Sequence, residues 1–357
     1  MTSILHISPY HAGSHAQWTR QITTRIDVKW TVLTLPGRFW KWRMRGVVPY
    51  LALSNAEALS RDYDAVLATS YVPLAELKGL APSLAKCRTY LYFHENQFAY
   101  PVRVPREWDT HYAVTQLTSA LAADRCLFNS AWNRDSFLDG ARQWLKKMPD
   151  AHPPGWIDTV ADKCEVLPLP MSLPDVPLVP REPGPPVILW NHRWEFDKAP
   201  EVFFDALDVL AKEGVDFRVI VCGQRFRKIP EAFERGRERL GDRVLHWGFA
   251  ESRDAYLALL QRADIAVSTA IHEFFGVAML EAAHYGARPL VPDRLSYPEI
   301  FPAEFRYPEG GFLESLRDLC GRTDLRASRR ELTAPYGDAL VERYRRLLTD
   351  APERRPI

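Results

Sequence analysis

Short β-branched and aromatic runs recur along the chain at SILHIS (3–8), WTVLTL (30–35), AVLAT (65–69), TYLYFH (89–94), RCLFNS (125–130) and CEVLPL (164–169). Each is followed by a turn signal or by apolar residues at helical spacing, which predicts strands and helices alternating around a parallel sheet. A second series, VILWNH (187–192), FRVIVCG (217–223), RVLHWGF (243–249), ADIAVST (263–269) and ARPLVP (287–292), repeats the pattern. Between these strands lie amphipathic stretches such as APEVFFDALDVLAKEG (199–214), which stops at Gly214 as a helix C′ residue does.

The two series are separated by PLPMSLPDVPLVPREPGPP (168–186), where proline recurs too often for a helix or a central strand. The expected organisation is a first Rossmann-like domain over 1–170, a proline-rich linker over 171–186 and a second Rossmann-like domain over 187–335. A basic amphipathic helix in 336–357 would cross back to the first domain. The fold class is α/β, with two Rossmann-like domains facing each other across a cleft at the carboxyl ends of their strands.

At 357 residues, with 46% hydrophobic and 25% charged positions, the chain is long enough for two globular cores. Lys and Arg number 46 against 45 Asp and Glu, so no global field draws a polyanion, and any nucleic-acid contact must be a local patch. The cysteines Cys87, Cys126, Cys164, Cys222 and Cys320 lie far apart with no C-x-x-C pair, which points to reduced thiols rather than a zinc site or disulfide framework. MTSILHISPYHAGSH has no basic-then-apolar leader and no run approaches about 20 apolar residues, so a cytoplasmic protein without a membrane span is expected.

Chemistry concentrates in IHEFFGVAMLEAAHYGARPLV (271–291). The strand before it ends at Thr269, Gly276 offers a turn, and Val277, Leu280 and His284 predict a helix that Gly286 stops. The helix start, near 276–278, would present free backbone N–H groups, an anion-binding end. Glu273 precedes this helix and Glu281 lies on its second turn, a spacing that suits a diphosphate between two carboxylates accepting hydrogen bonds from sugar hydroxyls. Either glutamate taken singly reads equally well as an acid favoured by the helix dipole. NHRWEFDKAPE (191–201) follows the strand VILW and sets Arg193 and Lys198 around one loop, where Arg193 would grip a diphosphate as a fork and Lys198 as a point charge.

Strand-N-H-R-x-x-x-x-K followed by E-F-F-G-V-A-M-L-E-A, with its E-x7-E spacing, resembles the retaining glycosyltransferases of the GT-B fold, a family that includes sucrose and glycogen synthases and bacterial mannosyltransferases. GSHAQW (13–18), LPGRFWKWRMR (35–45), LYFHENQFAYPV (91–102), FNSAWNRDSF (128–137), LHWGF (245–249), HEFFGVAMLEA (272–282) and YPEIFPAEF (297–305) are together similar to the branch that mannosylates queuosine at the tRNA wobble position.

The resemblance implies a retaining hexosyltransferase using GDP-mannose, without a metal or other cofactor. It implies Arg193 and Lys198 on the donor diphosphate, Glu281 on the nucleotide ribose and Glu273 on the transferred sugar, with the backbone of Phe275, Gly276 and Val277 completing the cradle. Gly13 would approach the diphosphate from the other domain, and His94 would stand at the acceptor side, beside the anomeric carbon. His94, Arg193, Lys198 and Glu273 are thus the expected catalytic set.

The stretch RFWKWRMRG (38–46) interleaves Arg38, Lys41, Arg43 and Arg45 with Trp40 and Trp42 and contains no acid. By itself it reads either as a base-stacking, phosphate-binding patch or as a solvated amphipathic turn. The resemblance makes it the expected contact to queuosine-bearing tRNA, with 141–149 and the arginine-rich 322–330 as lesser basic stretches. Glu95 and Asn96 beside His94, and Asn129 and Ser130, are expected at the acceptor, Ser130 being equally suited to cap a helix. Of His11 and His15, which flank Gly13, one is a functional candidate and either could be a cap, whereas His272 and His284 read as packing or surface residues. The competing functions are a glycosyltransferase of this fold with another donor or a lipid or polysaccharide acceptor, and a catalytically silent RNA-binding module.

Overall fold

The computed structural model describes residues 1–101, 109–180, 183–226 and 229–350. Val102 of the 91–102 motif, Arg181 and Glu182 of the proline-rich segment and residues 351–357 lie outside the described residues. The chain divides into two compact units, Met1–Ser172 with the C-terminal stretch from Tyr336, and Leu173–Pro335.

The first unit contains β1 (Ser3–His11), β2 (Lys29–Pro36), β3 (Ala65–Thr69), β4 (Arg88–Phe93), β5 (Arg125–Phe128) and β6 (Cys164–Val166), all parallel in the order β2-β1-β3-β4-β5-β6. Its helices include α1 (Gly13–Arg25), α2 (Trp40–Ser54), α3 (Thr110–Ala122) and α4 (Ala131–Leu145). Every residue of β3 is buried, because helices cover both faces of a parallel sheet and leave no polar side to the strand. An aspartate immediately before a strand ties its neighbour. Asp64 Oδ2 accepts from Ser3 N at 2.8 Å and Asp124 Oδ2 from Thr89 N at 2.7 Å. One face of the sheet packs through Phe93, Phe128 and Phe137, with the Phe93 and Phe128 rings stacked at 4.3 Å.

The second unit contains β7 (Val187–Trp190), β8 (Arg218–Cys222), β9 (Val244–Gly248), β10 (Ile265–Val267), β11 (Arg288–Pro292) and β12 (Arg306–Tyr307), parallel in the order β12-β11-β10-β7-β8-β9. β12 has only two residues, too few for a sequence periodicity, and pairs at the edge of β11. The helices that matter below are α5 (Pro200–Lys212), α6 (Arg253–Arg262) and α7 (Val277–His284). Asp264 repeats the strand tie, its Oδ2 accepting from Val187 N at 2.8 Å.

In each sheet the order reverses once, between β1 and β3 in the first and between β7 and β10 in the second. Such a reversal leaves the loops after its two strands diverging to opposite faces and opens a crevice between them, where open α/β sheets bind ligands.

The proline-rich segment is not an independent linker. From Leu173 it belongs to the second unit, where the Pro174 carbonyl accepts from His284 at 3.3 Å and Asp175 pairs with Arg330. The last helix, α8 (Asp338–Thr349), packs on the first unit. Its buried Tyr344 accepts from Trp18 Nε1 at 2.9 Å and donates to the Pro168 carbonyl at 2.9 Å, while Tyr90 donates to the Leu347 carbonyl at 2.7 Å.

Replacing Tyr344 by Phe leaves the buried Trp18 N–H without an acceptor, and an orphaned buried donor costs about 1–3 kcal/mol. The expected result is a lowered melting temperature with unchanged far-UV circular dichroism. An unchanged melting temperature would show that α8 contributes nothing through this contact.

Candidate active site

Lys198 ends the loop that follows β7 and is 6% exposed. Its ammonium donates to the His272 carbonyl at 2.7 Å and to Glu273 Oε2 at 3.3 Å, and it pairs with Asp197 Oδ2 at 3.1 Å. The loops after β7 and β10 are therefore joined by one buried cation, which must be paired to be buried at all. Thr269 Oγ1 secures the junction by donating to the Lys198 carbonyl at 2.8 Å, and Ala199 is held in the left-handed region at φ 43°.

Glu273 lies in this cluster. Burial pushes its carboxyl upward, but Lys198, His192 and the Phe275 N–H outweigh that and hold it down at about 2, so the group is ionised throughout the physiological range. Burial, reinforced by Lys198, lowers the neighbouring imidazoles, His192 to about 4 and His272 to about 3. His272 and His284 are both buried, as packing residues are. Lys198 faces two carboxylates, so this cluster alone does not draw an anion. That attraction rests on Arg193, exposed and paired with Glu195 at 3.2 Å, and on the amino end of α7.

α7 starts from Gly276 at φ 96°, a conformation that favours glycine, and no side chain caps its amino end. A Cβ at Gly276 would meet the Tyr297 ring at 3.1 Å. The Phe275 N–H donates to Glu273 Oε1 at 3.3 Å, which leaves the amides of Gly276, Val277 and Ala278 to meet an anion. Glu281, one turn on, is buried. Arg253 of α6 donates to its Oε1 at 2.7 Å and Tyr256 to its Oε2 at 3.1 Å. Asn191 joins the group, donating to Tyr256 Oη and to the Ala278 carbonyl, each at 3.0 Å.

Asp197, Asn191, Arg253 and Tyr256 were not read from the sequence. Asp197 and Asn191 adjoin residues that were. Arg253 and Tyr256, three apart on one helix face, precede Glu281 by some two dozen residues with no local sign of the contact.

In the first unit, Gly13 opens α1 at φ 51° with open space where a side chain would stand. His94 directly follows β4 and is 4% exposed. Its ring stacks on His15 at 3.9 Å, and neither ring nitrogen has a hydrogen-bond partner among the described residues. Burial, with His15 and His6 nearby, lowers its pKa well below the usual imidazole value, so the ring is neutral. His15 Nε2 lies 3.2 Å from Glu95 Oε2, and Tyr71, whose hydroxyl is pushed well above the usual phenol pKa by burial and by the nearby Glu95, stands beside the pair. His15 is thus a contact residue rather than a cap, within the first turn of α1.

Asn96 and Asn129, expected at the acceptor, are buried and bonded within the protein, and Ser130 takes the alternative of capping a helix. Asn96 Nδ2 donates to Asn133 Oδ1 at 2.9 Å, and Asn129 Nδ2 donates to the His94 carbonyl at 2.8 Å. Ser130 caps α4 by accepting from Asn133 N at 3.0 Å. These side chains hold the turn that carries His94 and Glu95.

The basic stretch 38–46 forms the amino end of α2. Phe39 and Trp42 are 71% and 64% exposed, and Arg38, Lys41 and Arg45 are exposed with them. Gly46 is required here because a Cβ would come within 2.6 Å of the Trp42 indole. Two members differ from expectation. Arg43 is half-buried and directed to the Pro36 carbonyl, and Trp40 is half-buried between Tyr71, 6.2 Å away and near-parallel, and Tyr112 at 5.1 Å. Trp40, Tyr71, Glu95, His15 and His94 form one continuous series of contacts from the patch inward. The arginines of 322–330 are structural instead. Arg329 is buried on the Gly286 and Leu325 carbonyls, Arg322 pairs with Asp324 and Arg330 with Asp175.

Among solved structures, sucrose-phosphate synthase from Thermosynechococcus elongatus matches with a TM-score of 0.70 at 16% identity, over 98% of this chain and all of that one. HepE from Anabaena in complex with UDP matches at 0.67 and 14%, over 98% and 100%. Residues 179–313 match the family described as glycosyl transferases group 1, and fold and site together define a GT-B glycosyltransferase, a hexosyltransferase. Residues 3–171 match the family described as tRNA-queuosine alpha-mannosyltransferase N-terminal. The Drosophila melanogaster tRNA-queuosine alpha-mannosyltransferase is 40% identical over 331 residues, 89% of this chain and 86% of that one. The chain belongs to the tRNA-queuosine alpha-mannosyltransferase family. A GDP-mannose-dependent phosphatidylinositol dimannoside mannosyltransferase of Mycobacterium tuberculosis is 32% identical over 122 residues, 34% of this chain and 31% of that one. No helix among the described residues is long and apolar enough to cross a membrane.

The buried ionisable groups give a pH prediction. His6, His94, His192 and His272 are lowered from 6.5 in the fold and Glu273 from 4.5, so in every case the unfolded chain binds more protons and stability rises with pH. The melting temperature should be highest above about pH 7 and fall steadily from about 6.5 to 4, with Glu273 adding to the loss below about 4.5. Differential scanning calorimetry across this range checks it, and a flat profile would contradict the assigned neutral histidines.

Proposed function

We propose that this hexosyltransferase moves mannose from GDP-mannose to a hydroxyl of queuosine in tRNA, with retention at the anomeric carbon and without a metal. The observation that carries the acceptor is the contact series from the exposed cationic and aromatic end of α2, through Trp40, Tyr71 and Glu95, to His15 and His94. It links a surface suited to a phosphate backbone with a buried polar centre suited to a hydroxylated ligand. The activity printed for the Drosophila relative supports the acceptor and the sugar, and the Mycobacterium relative supports the donor nucleotide.

On this reading Arg193, Lys198 and the α7 amides hold the diphosphate, Glu281 accepts from the ribose hydroxyls and Glu273 from the sugar hydroxyls. The bond between the anomeric carbon and the diphosphate oxygen breaks as the acceptor oxygen bonds to the same face. The acceptor proton passes to the departing diphosphate. Negative charge grows on that oxygen, so preorganised donors facing it supply most of the acceleration. Glu273 is ionised but clamped by Lys198, which suits it to orient the sugar rather than to attack. The reaction would take place in the cytoplasm, where tRNA and nucleotide sugars meet.

Purified protein incubated with GDP-mannose should add one hexose to the queuosine of tRNA from queuosine-making cells and none to tRNA from cells that cannot make it, as read by mass analysis of digested nucleosides. A chelating agent should leave the rate unchanged. Product with another nucleotide sugar but not with GDP-mannose would change the donor, and product on tRNA lacking queuosine would refute the acceptor. Lys198→Ala should lower transfer by at least about 100-fold, the scale of losing one preorganised electrostatic group.

Reversing the exposed charges with Lys41→Glu and Arg45→Glu should weaken tRNA binding and lower the salt dependence by about two counterions. GDP-mannose affinity should be unchanged. Equal loss of both affinities would make the patch structural.

A further inference from the structure

The carboxyl ends of β1, β3 and β4, three neighbouring strands, carry Ser8, Thr69 and, directly after β4, His94. All are buried, and Ser8 Oγ, Thr69 Oγ1 and both nitrogens of His94 have no partner among the described residues. They share a face of the sheet. His6 and Tyr92, each two residues back on its strand, both meet Trp18 of α1, and Leu67, two before Thr69, is in register with His6. Above them His15 stacks on His94, and His15 Nδ1 is also buried without a partner.

Unmet polar atoms gathered in one place are unfavourable unless a ligand or water supplies their bonds. Imidazole and hydroxyl groups that both donate and accept suit a hydroxylated ligand. Glu95 sets the orientation of the second imidazole. A carboxylate only accepts, so the His15 nitrogen facing it, Nε2, donates, and Nδ1 is the ring nitrogen turned to the cluster.

We propose that His15 is an acceptor-positioning residue, whose Nδ1, left facing the cluster by the Glu95 contact at Nε2, hydrogen-bonds a hydroxyl of the acceptor while His94 meets a neighbouring hydroxyl. This inference rests on the acceptor reading above. Tyr71 packs against the His15 ring at 5.6 Å and lies near-parallel to Trp40 at 6.2 Å, so that the α2 patch is joined to the position of the hydroxyl.

The test compares His15→Ala, His15→Asn and His15→Gln in the full-length protein, with queuosine-bearing tRNA and GDP-mannose. The asparagine amide reaches the region of Nδ1, and the glutamine amide that of Nε2 beside Glu95. His15→Ala should lower kcat by about 100-fold, the scale of misplacing a reacting group, with the GDP-mannose Kd within about threefold of wild type. His15→Asn should recover about tenfold of that loss, and His15→Gln should not. Glu95→Gln, which can present either an acceptor or a donor to Nε2, should lower kcat in the same direction but less.

Recovery by glutamine rather than asparagine would overturn the inference, because the Glu95 contact and not the free nitrogen would then matter. A parallel loss of GDP-mannose affinity would overturn it as a structural effect, and unchanged kcat in His15→Ala would overturn it outright. Thermal melts identify a variant that fails to fold, in which case the Asn and Gln pair decides. Wild-type protein without activity on queuosine-bearing tRNA would remove the acceptor reading and this inference together, whereas active wild type with an unaffected His15→Ala removes only the inference.

Discussion

A lysine ammonium cannot be placed in a protein interior without partners, and the partners of Lys198 organise the second unit's site. Asp197 comes from its own loop, and the His272 carbonyl and Glu273 come from the loop after β10. Satisfying one cation therefore fixes two loops against each other and sets where Glu273 points. It also determines the electrostatics. Glu273 is ionised because Lys198 is there, and His192 and His272 are neutral because they are buried beside the same charge. The α7 amides and Arg193 add to this paired cation the capacity to meet incoming negative charge that the cluster lacks by itself.

The first unit solves a different problem with the same topology. Among the described residues its crevice shows no buried lysine or arginine. It holds imidazole and hydroxyl groups whose hydrogen bonds are incomplete, enclosed by the aromatic rings of Trp18, Tyr71 and Tyr92. Rigid rings fix positions at little entropic cost, and neutral polar atoms in a low-dielectric enclosure discriminate strongly for ligands that complete their bonds. One unit is thus built around charge and the other around imidazole and hydroxyl groups.

The motif residues differ in how they reach these sites. Asn96, Asn129 and Ser130 lie next to functional residues in sequence, yet their side chains are turned to the backbone and to Asn133, holding the turn on which His94 and Glu95 are presented. Trp40 and Arg43 likewise belong to the basic stretch but face inward, because a helix shows only part of its circumference to solvent and α2 buries Met44, Val47, Val48 and Leu51.

The alternation of apolar runs with helical stretches determined both α/β series, since a strand covered on both faces is mostly apolar, and eleven of the twelve strands among the described residues carry such a run. The loops bearing Arg193, Lys198, Glu273 and Gly276 were legible for a local reason, each lying directly after a strand or at a helix start. Tertiary structure alone decided which loops meet, because that depends on strand order: β10 pairs with β7 rather than β9, and β3 with β1 rather than β2. The same order brings Arg253 and Tyr256 to Glu281, and His15 to His94 and Glu95. No periodicity encodes those contacts, because their partners are distant in the chain and joined only by packing.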